Sequence, residues 1–79
     1  MKFSVQINRY SNDGYQNKKL YENDDIEAET ARAALQEVLD YGEAVNGFPS
    51  EVKDIFEDSA EEFHGMTGNI SYDVCPASW

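Results

Sequence analysis

The sequence predicts an α+β domain: a three-stranded antiparallel sheet, order 2-1-3, with two helices packed on one face and element order β-β-α-α-β. Three observations carry this. Apolar and polar residues alternate near both ends: Phe3, Val5 and Ile7 against Ser4, Gln6 and Asn8, then Ile70, Tyr72 and Val74 against Ser71, Asp73 and Cys75. Period two is the mark of a strand with one buried face. Ala31, Ala34, Leu35, Val38 and Leu39 instead recur at helical spacing. So do Phe48, Val52, Ile55, Phe56, Ala60 and Phe63, which predict a second helix over 48–64.

The first strand ends at Asn12-Asp13-Gly14, residues that suit a turn, within a polar loop that runs from Ser11 through Asn17. Lys18 to Glu22 reads as the returning strand, with Leu20 inward. Asn23-Asp24-Asp25 interrupts it, and Ile26 and Ala28 resume the inward parity. Thr30 or Glu29 caps the first helix, and Gly42 suits its end. Asn46-Gly47 marks a turn, and Pro49 fits the first turn of the second helix. Gly65 and Gly68 end that helix, and Asn69 to Cys75 returns as the last strand, beside the first. Pro76 stops it. The expected core is Val5, Ile7, Leu35, Val38, Leu39, Ile55, Phe56, Phe63, Ile70 and Val74.

Residues 1–79 make one small domain whose core is thin enough for every large apolar side chain to count. No charged-then-apolar leader follows Met1, and the longest apolar runs are too short to span a membrane. The single cysteine, Cys75, excludes an intramolecular disulfide and fits a reducing compartment, so a cytoplasmic location is expected.

Charge is the strongest functional signal. The formal net charge is −10. Residues 1–19 carry Lys2, Arg9, Lys18 and Lys19 against Asp13, whereas all other acids follow, relieved only by Arg32 and Lys53. This argues against nucleic acid or anionic membrane as a direct partner of the acidic portion and favours a basic protein surface. A plain solvating surface is the alternative. On the expected second helix, Glu51, Asp54, Asp58 and Glu61 fall on one stripe, with Glu57 and Glu62 beside them. Helical neighbours three or four apart are separated by about 5–6 Å, a spacing comparable to phosphates along a nucleic-acid strand. Such a row suits a groove lined with Lys and Arg. Asp24, Asp25, Glu27 and Glu29 extend the candidate partner-binding surface.

No catalytic residue, metal site or cofactor is expected. The acids at 24–29 lack the glycine and closing glutamate of a calcium loop. A lone His64 makes a zinc site only if carboxylates complete it. Cys75 and His64 act together only if the fold brings them together, and acidic surroundings suppress the thiolate. Glycine-rich phosphate loops, nucleophile elbows and Cys-x-x-Cys are all missing from the sequence. Tyr10, Tyr15, Tyr21, Tyr41, Tyr72 and Trp79 are too many for so small a core; some cap its edges or serve an interface.

In size, acidity and α/β layout the chain resembles small phage-encoded inhibitors, above all anti-CRISPR proteins and other acidic DNA mimics. Those proteins share no diagnostic motif, so no residue role carries over. The resemblance implies a stoichiometric inhibitor, not an enzyme. It would occupy the basic DNA-binding site of a nucleic-acid-binding protein or complex, such as a CRISPR surveillance complex in a host cytoplasm. The competing expectation is a small structural or regulatory interaction domain, homodimeric through an exposed sheet edge.

Overall fold

Alternation in residues 2–10 and 70–76 does produce paired strands, but they belong to a wider sheet than three. The structure is a computed structural model describing residues 1–46 and 48–78, with the backbone alone for 41–46. Its elements are β1 (Lys2–Tyr10), β2 (Asn17–Glu27), α1 (Ala31–Asn46), β3 (Asp54–Asp58), β4 (Phe63–Thr67) and β5 (Ile70–Pro76). They form one five-stranded sheet, order β2-β1-β5-β4-β3, with every neighbouring pair antiparallel. The expected fold class is therefore corrected: one helix and five strands replace two helices and three strands. The pairing of the C-terminal strand with β1 runs from Phe3 opposite Pro76 to Arg9 opposite Ile70.

The correction lies in residues 48–67. Phe48 is buried in a connecting segment, Pro49 opens no helix, and Asp54–Asp58 is an edge strand with every residue exposed. A 48–64 helix would have stacked Glu51, Asp54, Glu57, Asp58, Glu61 and Glu62 at successive turns with only Lys53 for relief, and like charges at that spacing are destabilising. The structure spreads them along the segment entering β3, β3 itself and the β3–β4 turn. Ser59 closes the turn: its N–H donates to the Glu62 carbonyl at 2.9 Å, and its Oγ accepts the Glu62 N–H at 3.2 Å. A register shift between Ile55 and Glu57 disrupts period two in β3, which hides the strand from a pattern search.

Gly65 and Gly68 do not end a helix. Gly68 has φ +61° and, with Asn69, forms the two-residue turn joining β4 to β5. Gly65 sits inside β4, where a Cβ would lie 2.5 Å from Val52 Cγ1 and 2.8 Å from the Asp54 carbonyl oxygen. Glycine is the residue that lets the segment entering β3 approach β4 so closely.

Helix α1 starts as expected. Thr30 Oγ1 accepts the Ala33 N–H at 3.1 Å, an N-cap bond. The helix passes through Gly42 to Asn46, so Gly42 is not its stop. The expected turn at Asn46-Gly47 extends beyond the described residues, as does Trp79, and nothing is described of the Tyr41 side chain. The face Ala31, Ala34, Leu35, Val38 and Leu39 packs on one side of the sheet against Phe3, Val5, Ile7, Ile26, Phe48, Phe63, Ile70, Tyr72 and Val74. Of the expected core, Ile55 and Phe56 are corrected: they are 44% and 68% exposed. Phe48 and Tyr72 supply bulk in their place. Tyr72 is fully buried, and its hydroxyl donates to the Pro49 carbonyl at 2.7 Å, satisfying the one polar group it carries inward. Phe48 meets Tyr21 edge-on, with ring centroids 6.3 Å apart.

Candidate functional site

Because the strands alternate, burying Val5, Ile7, Tyr72 and Val74 under α1 commits Ser4, Gln6, Asp73 and Cys75 to the opposite face. No described element covers that face. Strand pairing there lines up a polar row: Glu57 opposite His64, His64 opposite Asp73, Asp73 opposite Gln6, and Gln6 opposite Glu22. His64 is its centre. Nδ1 lies 2.8 Å from Asp73 Oδ1, and Nε2 lies 3.1 Å from Glu62 Oε1. The Asp73 hydrogen bond holds the imidazole pKa above its ordinary value, with Glu62 adding to the effect and partial burial opposing it. One oxygen or nitrogen from each of Glu57, Glu62 and His64 lies within 4.8 Å of the others.

Cys75 belongs to the same face, opposite Ser4. Burial pushes its thiol pKa up, and Glu62, Asp24 and Asp73 push it further, so thiolate is scarce at neutral pH. Ser4 Oγ donates to Asp24 Oδ1 at 2.7 Å across the β1–β2 pair. Ser71, also on this face, is 7% exposed, and its hydroxyl has no hydrogen-bond partner among the described residues.

The second feature is an acidic end. Antiparallel pairing brings the start of β1, the ends of β2, β3 and β5, and the start of β4 to one end of the sheet. Asp24, Asp25 and Glu27 lie there on β2, Glu57 and Asp58 on β3, and Glu61 and Glu62 in the β3–β4 turn. The Ala31 N–H donates to the Ala60 carbonyl at 2.9 Å, tying the start of α1 to that turn. Glu29 and Glu61 thus flank a single backbone junction. Cations answer some of these acids. The N-terminal amine pairs with Glu27 at 2.9 Å, Lys2 with Asp25 at 3.0 Å, and Arg32 with Asp58. Arg32 also lies over the Phe63 ring, 5.9 Å from its centroid. Among the described residues, Glu29, Glu57 and Glu61 have no basic group within ion-pairing distance.

The expected helical stripe is not formed. Glu51 and Asp54 lie toward the other end of the hairpin, where the Glu51 carbonyl accepts from Thr67 Oγ1 at 2.7 Å and Asp54 pairs with Met66. Asp58 and Glu61 stay at the acidic end, with Glu57 and Glu62. The structure also joins them to Asp24, Asp25, Glu27 and Glu29, which sequence reasoning added only as an extension. Arg9, Lys18 and Lys19 occupy the opposite end, around the β1–β2 loop. In that loop Tyr15 is 90% exposed, and Ser11 and the Tyr15 N–H hydrogen-bond to Asp13, lowering its pKa.

His64 and Asp73 were not singled out as a pair. The available signal was Gly68-Asn69 just before the alternating run Ile70–Cys75, a two-residue turn that places residues 64 and 73 opposite each other. No helix of the described residues is long and apolar enough to cross a membrane. Compared with known proteins, the chain matches no family model, no curated protein and no solved structure.

Proposed function

We propose that the chain is a stoichiometric protein-binding inhibitor whose acidic end engages a basic surface on a nucleic-acid-binding protein. The observation that supports this most is the Ala31–Ala60 backbone bond, which brings two acid groups distant in sequence to one junction. Exposed carboxylates without cations repel one another, and a partner rich in Lys and Arg removes that repulsion while gaining complementary contacts. The row of carboxylates is no longer a helical stripe, so mimicry of phosphates rests on the clustered charge. The narrowest form of the reading is an anti-CRISPR inhibitor occupying the DNA site of a surveillance complex; it rests on size and acidity. A reducing cytoplasm, where Cys75 stays a thiol, belongs to the same reading.

A second reading is a homodimer through the β3 edge, favoured by exposed Ile55 and Phe56. Its charge pattern opposes it. Two antiparallel copies centred on Phe56 would set Asp54 against Asp58 of the other copy, and like charges directly opposite are destabilising. A basic strand from another protein fits that edge better.

Competition tests the proposal. A basic nucleic-acid-binding protein holding labelled DNA is titrated with the parent chain, with Glu29→Lys/Glu61→Lys, and with Glu37→Lys/Asp40→Lys on the exposed helix face. The parent and the helix variant should displace DNA, less well as salt rises, and the acidic-end variant should not. Equal displacement by both variants, or self-association without displacement, overturns the reading.

A further inference from the structure

We infer that Glu57, Glu62 and His64 form a binding site for a zinc-class divalent cation, with Asp73 as the group that orients the histidine. The argument begins with the imidazole. A neutral ring has one N–H donor and one lone-pair nitrogen. Carboxylate oxygens stand at both nitrogens, 2.8 Å from Nδ1 and 3.1 Å from Nε2. In the tautomer that this contact favours, Nδ1–H donates to Asp73. Nε2 then turns a lone pair toward the Glu62 carboxylate, and two acceptors at 3.1 Å repel unless a positive charge sits beside them. A second proton is one such charge. A metal ion is the other, and Glu57 across the β3–β4 pair makes the metal the better match, because it brings a third donor to the same point.

The dimensions agree. Zinc binds nitrogen and carboxylate oxygen at about 2.0–2.2 Å, so ligands of one tetrahedral ion lie about 3.4 Å apart. His64 and Glu62 are already at 3.1 Å. Glu57 is exposed and its side chain is free to rotate, and the donor atoms of the set lie within 4.8 Å of one another. Three protein ligands leave a fourth position for water. The Asp73–His64 bond has the form of the carboxylate–histidine pairs that fix tautomer and ring orientation beside a metal. One nitrogen among few ligands favours zinc-class ions over calcium or magnesium, which want six or more oxygens or keep their water. The turn bond between Ser59 and Glu62 holds the Glu62 backbone in place. Cys75 is outside the ligand set. This site is independent of the inhibitor reading, since it needs no protein partner.

The test uses untagged, metal-stripped chain at pH 8, titrated with zinc chloride by calorimetry and by imidazole nitrogen NMR. One equivalent should bind saturably. The His64 Nε2 signal should move to a coordinated position, with Nδ1 still protonated. Magnesium and calcium at the same concentrations should leave both readouts unchanged. His64→Gln should abolish the saturable isotherm, Glu57→Gln should weaken it, and Asp73→Asn should weaken it by about 10–100-fold. Circular dichroism of the metal-free variants separates loss of binding from loss of fold. His64 lies on the open face, and Gln at 64 should leave the sheet intact. If His64→Gln unfolds, the Nε2 shift of the parent alone decides. Binding that survives His64→Gln in a folded chain, equal responses to magnesium, or an unmoved Nε2 signal would each overturn the inference.

Discussion

The face of the sheet under α1 and the face left open are built by the same strands, yet they answer different physical demands. Under the helix, Phe3, Val5, Ile7, Phe63, Tyr72 and Val74 exclude water, and their worth scales with apolar area removed from it. On the open face, Gln6, His64, Asp73 and Cys75 stay near solvent, and their worth is set by charge and hydrogen bonding. The comparison teaches that in a chain this small the covered face is spent on stability. Chemistry is left to the other side and to the acidic end.

The largest expected effect contrasts two aromatics of one hairpin. Phe63→Ala, beneath α1, should lose about 3–5 kcal/mol. Phe56→Ala, 68% exposed on the edge strand, should stay within about 0.5 kcal/mol of the parent. Urea unfolding followed by circular dichroism measures both. Equal losses would mean that β3 is buried and the two-face account is wrong.

An intermediate effect sharpens the boundary between β3 and β4. Gly65→Ala places a methyl 2.5 Å from Val52 Cγ1 and 2.8 Å from the Asp54 carbonyl oxygen. Overpacking of this kind costs about 1–3 kcal/mol. Combining it with Val52→Ala should recover part of the loss in the same unfolding assay, because one of the two clashing atoms is then gone. A Gly65→Ala chain as stable as the parent would show that the two segments lie farther apart.

The smallest effect belongs to the open face. Asp73, and after it Glu62, raise the His64 pKa, while Glu57 stands opposite on β3. A raised histidine pKa means the folded chain holds its proton more tightly. That stability is fully present below the unfolded value of about 6.5 and is lost as pH climbs through the folded value. In metal-free buffer the parent's melting temperature should therefore fall relative to that of His64→Gln as pH rises from about 6 toward 8. A constant difference across that range would mean that neither carboxylate holds the ring.

Much of this was legible in residues and some was not. Period two in 3–7 and 70–74 located β1 and β5, and the Ala31–Leu39 stripe located α1, since one regular pattern governed each stretch. Residues 48–67 obeyed no single pattern. Phe48, Val52, Ile55, Phe56 and Phe63 fell at helical spacing by combining a connecting segment, a register shift and a turn. Ser59 and Glu62 are spaced as in a helix-capping box but instead close a hairpin. The acids themselves were visible at once. Their gathering at one end was not, because it depends on the order β2-β1-β5-β4-β3 and on the Ala31–Ala60 bond. No metal site was expected at His64, because the carboxylates that could complete one are brought to it only by strand register.

Both functional readings depend on residues 51–67 being an edge hairpin, and nuclear Overhauser effects on the uniformly labelled chain measure that directly. The account predicts cross-strand effects linking Glu57 to His64 and His64 to Asp73, with extended-backbone carbon shifts through Asp54–Asp58. Strong sequential amide–amide effects and helical carbon shifts from Glu51 through Glu62 would contradict it. They would restore a single acidic helix and remove both the metal-ligand set and the gathered acidic end.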